Sequence, residues 1–341
     1  MAIAATSILS RRSTRTWGTA VLAMVLLAGT AACSAPAGQP DAQSSDSVKT
    51  IRVGASASLT STSLHLGLSE GIFEDAGLEV EITPITSLSE GLTQVMSGSL
   101  DYAFGDVHNT ILAQSQGMPV AVAAPVVVGA EKKADDTVGF GNLLVLKSGP
   151  IKSAADMNGK TIGTSSLNGT GRLDIETMLK EEGVDTSTLN WVAIPGPQQM
   201  AALRQGQIDA ATIPEPTATK SIEEGDVISI IASDAALPGA PLYGMVAKKE
   251  WIAANMDTAE TFQSALLEAN TKANSDREAA DKAIATFTDL PADLIGKLHL
   301  PLFAEDEFEA DDARSTVDRM VDFGLLKQEE VPDLGGLFIQ Y

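Results

Sequence analysis

The 341-residue sequence predicts an α/β fold of two similar lobes followed by a helical tail. Three observations carry this. Strand and helix patterns alternate from residue 51 to residue 213, the same order of five elements occurs twice, and the second copy trails the first by a near-constant offset. Gly54 to Gly163 is 109 positions, Ile85 to Ile194 is 109, and Gly98 to Gly206 is 108. With 44% hydrophobic residues the chain is too apolar for disorder and long enough for two cores.

The elements follow in order. Residues 51–56 read as a strand. Residues 60–76 read as a helix, because Leu64, Leu68 and Ile72 recur every four positions and Gly77 supplies a stop. Residues 78–85 alternate as a strand. Ser87 and Glu90 form a capping box ahead of a helix carrying Leu92, Val95 and Met96, which Gly98 ends. Residues 100–105 are the third strand.

The second round places strands at 161–165, 190–195 and 208–213, with a helix at 171–182 stopped by Gly183. Its second helix opens at Pro197 and runs through Met200 and Leu203 to Gly206. Gly-Ser-Leu-Asp-Tyr-Ala at 98–103 matches Gly-Gln-Ile-Asp-Ala-Ala at 206–211, so Asp101 and Asp209 read as structural turn residues. From Tyr243 the pattern turns helical, at 250–255, 259–274, 277–287, 291–298 and 310–323; such a tail packs most simply on the first lobe.

Ahead of the lobes, Arg11, Arg12 and Arg15 precede an apolar run at 20–28, too short to span a bilayer and shaped as a secretory signal. Cys33 is the only cysteine, so the chain forms no internal disulfide. Its place after small residues at 29–32 resembles the lipobox of bacterial lipoproteins, which implies a signal at 1–33 and lipidation at Cys33. A simple signal peptide with an incidental cysteine is the alternative. Ser10-Arg11-Arg12 also resembles a twin-arginine export signal. Residues 34–49 are small, polar and aperiodic, a flexible tether. The formal charge of −22 excludes nucleic acid and anionic lipid as favoured partners.

Parallel sheets bind ligands beyond the carboxyl ends of their strands. The loops leaving those ends lie at 57–61, 106–109, 166–170 and 214–216. Three lead to helix starts, whose unpaired amides point outward, so two facing lobes make a cleft rich in donors.

The segments at 54–64 and 70–80 (Glu-Gly-Ile-Phe-Glu-Asp-Ala-Gly-Leu-Glu-Val) resemble the opening of the nitrate/sulfonate/taurine group of ABC-importer binding proteins, which includes receptors for thiamine-pyrimidine precursors. The likeness continues at 97–103, 116–119, 151–162, 202–210 and Glu215-Pro216. It implies the two-lobed, hinged periplasmic-binding-protein fold of type II, with lobe 1 at 50–146 and 244–341 and lobe 2 at 147–243. The crossover segments are expected near 143–147 and 243–247. It also implies ligand contacts from the first loop (Ser58, Thr60, Ser61), the segment after the third strand (Gly105, Asp106, His108), the second-lobe helix start (Asn168, Gly169, Thr170), Glu215 and the cleft ring Tyr243. Beside these stand structural roles: helix caps for Ser58, Thr60, Asp106 and Thr170 and an ordering role for Glu215; Arg172, in the first turn of a helix facing the cleft, either pairs with an anion or stays exposed, the commoner outcome for an arginine.

The implied partners are a small anionic or zwitterionic solute, an ABC permease and its ATPase, and the outer face of the membrane through the lipid anchor alone, with the protein a monomer. No cofactor or metal is implied. His65, His108 and His299 lack metal-ligand spacing, no Gly-x-Ser-x-Gly elbow is present, and Asn168-Gly-Thr-Gly171 lacks the Lys-Ser/Thr of a phosphate loop. A planar heterocycle remains an alternative ligand, which the shortage of expected cleft aromatics disfavours. A same-fold enzyme and a ligand sensor remain alternative functions.

Overall fold

The computed structural model describes residues 48–131 and 137–341. The expected signal, tether and Cys33 lie outside the described residues. In the first lobe, β1 (Lys49–Ala55) leads to a 3-10 turn (Leu59–Ser61), α1 (Thr62–Ser69), α2 (Ile72–Asp75), β2 (Leu78–Pro84), α3 (Leu88–Ser97), β3 (Tyr102–Asp106), α4 (Val107–Ser115) and β4 (Val120–Val128). The expected helix over 60–76 is thus broken in two. Gly71, at φ 74°, turns the chain left-handed between the pieces, a conformation that costs glycine little. Ser87 caps α3 by accepting the Glu90 N–H at 3.2 Å. The Glu90 carboxylate reaches back one residue further than a capping box requires, accepting from Thr86 N and Oγ1, both at 2.8 Å.

The second lobe carries β5 (Gly141–Leu146), β6 (Thr161–Thr164), α5 (Thr170–Glu181), β7 (Asn190–Ala193), α6 (Gly196–Arg204), β8 (Ala210–Pro214), α7 (Thr217–Glu223) and β9 (Val227–Ala232). The chain then returns as β10 (Pro241–Lys248), α8 (Lys249–Ala254), α9 (Met256–Ser275), α10 (Arg277–Phe287), α11 (Ala292–Ile295), β11 (Leu302–Phe303) and α12 (Arg314–Asp322).

The two sheets share one plan. The first is ordered β11-β4-β10-β3-β1-β2 and the second β7-β6-β8-β5-β9. In each, three parallel strands from one half are followed by an antiparallel strand, β10 or β5, and then by a fourth strand of that half, β4 or β9. This corrects the expected crossovers: 143–147 and 243–247 are largely strand. β5 belongs to the second sheet although it was expected in lobe 1, and β10 belongs to the first sheet from Pro241. The sheets exchange between β4 and β5 and between β9 and β10. Both exchanged strands pair irregularly with their outer neighbours, β5 at Leu143/Leu144 and β10 around Tyr243.

The repeat extends to atomic detail. Asp101 accepts the Arg52 N–H at 2.9 Å, and Asp209 accepts the Thr161 N–H at 2.8 Å, tying the repeated turn to β1 in one lobe and to β6 in the other. A Cβ added at Gly54 would lie 2.6 Å from Leu100 Cδ1, and one at Gly163 would lie 2.6 Å from Ile208 Cδ1. Each glycine therefore makes room for the residue just before the repeated aspartate.

The tail packs on the first lobe, as expected. Phe262, Ala265 and Leu266 of α9 share a core with Ile51, Val53 and Tyr102. Val317 and Met320 of α12 share another with Val107 and Ile111 of α4. The second lobe has its own cores, one around Leu143, Ile162, Ile175 and Ala210 and one around Leu144, Leu203 and Ile213. Burial of the larger aliphatic and aromatic side chains among these, each contributing about 1.5–3 kcal/mol, makes each lobe a frame for its loops.

Candidate functional site: a cavity between the lobes

A cavity of about 370 Å³ lies between the lobes, beyond the carboxyl ends of β1, β6 and β8. From the first lobe come Ser56, Ser58 and Thr60 of the β1 loop, Phe104 of β3 and Tyr243 of β10. The second lobe supplies Ser165, Thr170, Gly171, Asp174, Thr212 and Glu215. Val127, Ile175, Ile213 and Leu242 make the remainder of the wall largely apolar. Among the described residues no Lys, Arg or His lines it.

In the first-lobe loop, Ser58 Oγ lies 2.5 Å from Thr60 Oγ1 and accepts from Ser56 Oγ at 3.4 Å. Ser58 precedes the 3-10 turn, yet its side chain makes no cap hydrogen bond, so its hydroxyl is not spent on the turn. Ser61 is fully buried and donates to Ser56 O at 2.9 Å. It shapes the loop and does not line the cavity, because the 3-10 turn rotates it inward.

On the facing lobe, α5 begins at the cavity. Its N-cap is Gly169, which has no side chain to cap with, so Thr170 is the first helical residue and its role as a cap falls away. Gly171 borders the cavity, and a Cβ built there would meet only Thr212 Oγ1, at 3.8 Å. The first-turn amides of this twelve-residue helix thus end at the cavity wall, where unpaired N–H groups and the helix dipole favour negative charge. Thr170 interacts with the Tyr243 hydroxyl of the opposite lobe. Burial, reinforced by Asp106 and Asp174, pushes that phenol up from its ordinary range.

Several expected contacts lie elsewhere. Asp106 caps α4, accepting Asn109 N at 2.8 Å and Nδ2 at 2.9 Å, and His108 Nδ1 sits 2.8 Å from its Oδ1. Burial pushes Asp106 up, but His108 and Asn109 outweigh it and hold the carboxylate below its usual range. Neither Asp106 nor the buried His108 lines the cavity. Gly105 packs beneath α3: a Cβ there would fall 2.4 Å from Leu88 Cδ1. Asn168 and Gly169 shape the approach to α5 without reaching the wall, since the loop carries Asn168 outward to solvent. Arg172 turns to Glu176 at 3.0 Å and Leu167 O at 2.8 Å, and lies over Trp191.

Glu215 lines the wall with its carboxylate already engaged. It accepts Thr219 N at 3.1 Å, Thr219 Oγ1 at 2.5 Å and His299 N at 3.2 Å, the last from the tail. Its ordering role therefore extends beyond lobe 2.

Sequence reasoning missed Phe104, Phe140, Asp174 and Thr212. Asp174 stands one helical turn after Thr170, so the i, i+4 rule placed it on the same face. Phe140 went unnoticed because the crossover was set too late in the chain. With Phe104 stacked on Tyr243 at 5.6 Å, the cavity has three rings, more than the sequence suggested.

The fold agrees with solved structures. The aliphatic sulphonate binding protein SsuA of Escherichia coli matches at 19% identity and TM-score 0.68, over 84% of this chain and 94% of that one. The alkanesulfonate-binding protein SsuA of Xanthomonas axonopodis pv. citri, bound to MOPS, matches at 17% and 0.65, over 86% and 98%. The nitrate-binding protein NrtA of Synechocystis matches at 14% and 0.64, over 85% and 86%. No curated protein matches the chain. The family model described as NMT1/THI5 like matches residues 59–280. The resemblance read from the sequence is borne out: the chain belongs to the NMT1/THI5-like family and has the two-lobed fold of periplasmic solute-binding proteins.

Proposed function

We propose that this chain is the extracytoplasmic solute-binding subunit of an ABC importer, taking a small anionic or zwitterionic solute between its lobes and passing it to a permease driven by an ATPase. The observation that carries this reading is the meeting of the two repeated loops at one cavity: hydroxyls of Ser58 and Thr60, bonded to each other and not to the turn, on one side, the α5 amides and Thr170 on the other. Such donors hold an acid group without a neighbouring basic side chain. The neighbours named for sulfonate and nitrate support this class. Lipidation at Cys33, an outer-face location and a monomeric state belong to the same proposal, and the protein binds its solute without transforming it.

A second reading has its own support. Phe104, Phe140 and Tyr243 give the cavity three rings for a planar heterocycle. A thermal-shift screen of taurine, ethanesulfonate, nitrate and pyrimidine precursors separates the two. At a hundred times its dissociation constant, a bound solute stabilises by about 2.7 kcal/mol. A rise in melting temperature with sulfonates or nitrate supports the main reading, a rise with pyrimidines alone transfers support to the second, and no rise with any contradicts both.

A further inference from the structure

The cavity wall contains an acid whose partner comes from the other lobe. Asp174 projects from α5 of lobe 2, lines the cavity and is 15% exposed. Its Oδ1 accepts from Arg319 Nη1, and Arg319 is 6% exposed. That arginine belongs to α12, which packs on α4 of the first lobe through Val317 and Met320. The pair thus joins the last helix of the tail to the second lobe. It is not a surface ion pair of the Lys297–Glu223 kind, whose two partners are each about half exposed. Two further cavity residues bridge the lobes, Thr170 with Tyr243 and Glu215 with the His299 N–H.

We propose that Arg319 is a positioning residue of the binding site: delivered by the tail of lobe 1, it fixes the Asp174 carboxylate in the wall of lobe 2, so that the acid is set and held only when the lobes are closed. Removal of either member leaves the other as an uncompensated buried charge, which the closed form tolerates poorly and the open, hydrated form tolerates well. The charged and titratable groups facing Asp174 are Arg319 from α12, His108 from α4, Asp234 after β9 and the Tyr243 hydroxyl from β10. Burial raises the Asp174 acid above its ordinary range and Arg319 opposes that rise, as expected of a wall acid held by one cation. Arg319 Nε has no partner among the described residues, so Asp174 is the only protein group satisfying this guanidinium there. The inference rests on the cavity being the solute site under the proposed function, but its test needs no solute. A failed ligand screen and a failed positioning test are therefore separate results.

Spin labels at Thr93→Cys on α3 and Gln205→Cys after α6, both exposed, in a Cys33→Ser background, report lobe separation in the solute-free chain by electron–electron resonance. Arg319→Met and Asp174→Asn should each lower the closed-to-open ratio by about tenfold or more. The double variant should open no further than either single, and Arg319→Lys should restore much of the closed population. Rescue of the closed population by Arg319→Lys, which restores the charge, is the readout that a side chain needed only for its packing would not give, since Arg319→Met already keeps most of that packing. Wild-type separations in Asp174→Asn, or additive opening in the double variant, would overturn the proposal. Should Arg319→Met fail to fold, Asp174→Asn decides alone, because it keeps the side-chain shape.

Discussion

Replacing Thr170 with valine removes one hydroxyl from the first turn of α5 and keeps the side-chain shape. Because Gly169 is the N-cap, no capping hydrogen bond is lost, and the usual cap penalty of about 1 kcal/mol does not enter. What goes is a donor in the cavity wall and the interaction with Tyr243 across the lobes. A hydrogen bond to a charged group contributes about 1.5–3 kcal/mol, against about 0.5–1.5 kcal/mol for a neutral pair such as Thr170 with Tyr243. For an acid-bearing solute the dissociation constant should therefore rise about 10- to 150-fold, since each 1.4 kcal/mol is a factor of ten. Unfolding free energy should fall by no more than about 1.5 kcal/mol. Calorimetric titration with the solute that gives the largest thermal shift, and thermal unfolding of the same preparation, measure the two effects. Unchanged affinity would refute the assignment of Thr170 as a donor to the solute.

Other consequences follow from single contacts. His65 is stacked on Phe287 at 4.1 Å, and burial lowers its pKa from 6.5 to about 4. The fold therefore favours neutral His65: its contribution is fully present above pH 6.5 and is lost as pH falls towards 4. Urea midpoints across that window should decline less steeply in His65→Phe. Gly105→Ala should cost about 1–3 kcal/mol of stability by crowding Leu88, with Leu88→Ala relieving that strain while adding its own cavity cost; wild-type stability of the single variant would refute the packing role. Cys33→Ser should shift the protein from the membrane fraction to the medium, and retention of the variant would contradict the anchor.

The fold was legible where its causes are local. Gly98 and Gly206 each adopt positive φ at a helix end, and Asp101 and Asp209 each bind a backbone N–H of a neighbouring strand, so the repeat is written in short segments. Crossover positions were not legible, because no local pattern says which sheet β5 and β10 join; only partners distant in sequence decide it. The site divides in the same way. Ser58, Thr60 and Thr170 follow from the rule that ligands meet loops beyond strand ends. Asp106 and His108 obey that rule in sequence, but capping of α4 draws them out of the cavity. The Arg319–Asp174 pair spans 145 residues, and no local pattern announces it.

The central claim is that the solute occupies the cavity between the lobes. Gly171 offers the most direct test, since it borders the cavity and a side chain built there has open space ahead of it. Phenylalanine at this position should fill the cavity and leave both cores intact. Calorimetric titration of Gly171→Phe with the solute that stabilises the wild-type chain should show no saturable binding, at an unchanged melting temperature without solute. Binding of wild-type affinity by Gly171→Phe would place the solute elsewhere and contradict the account.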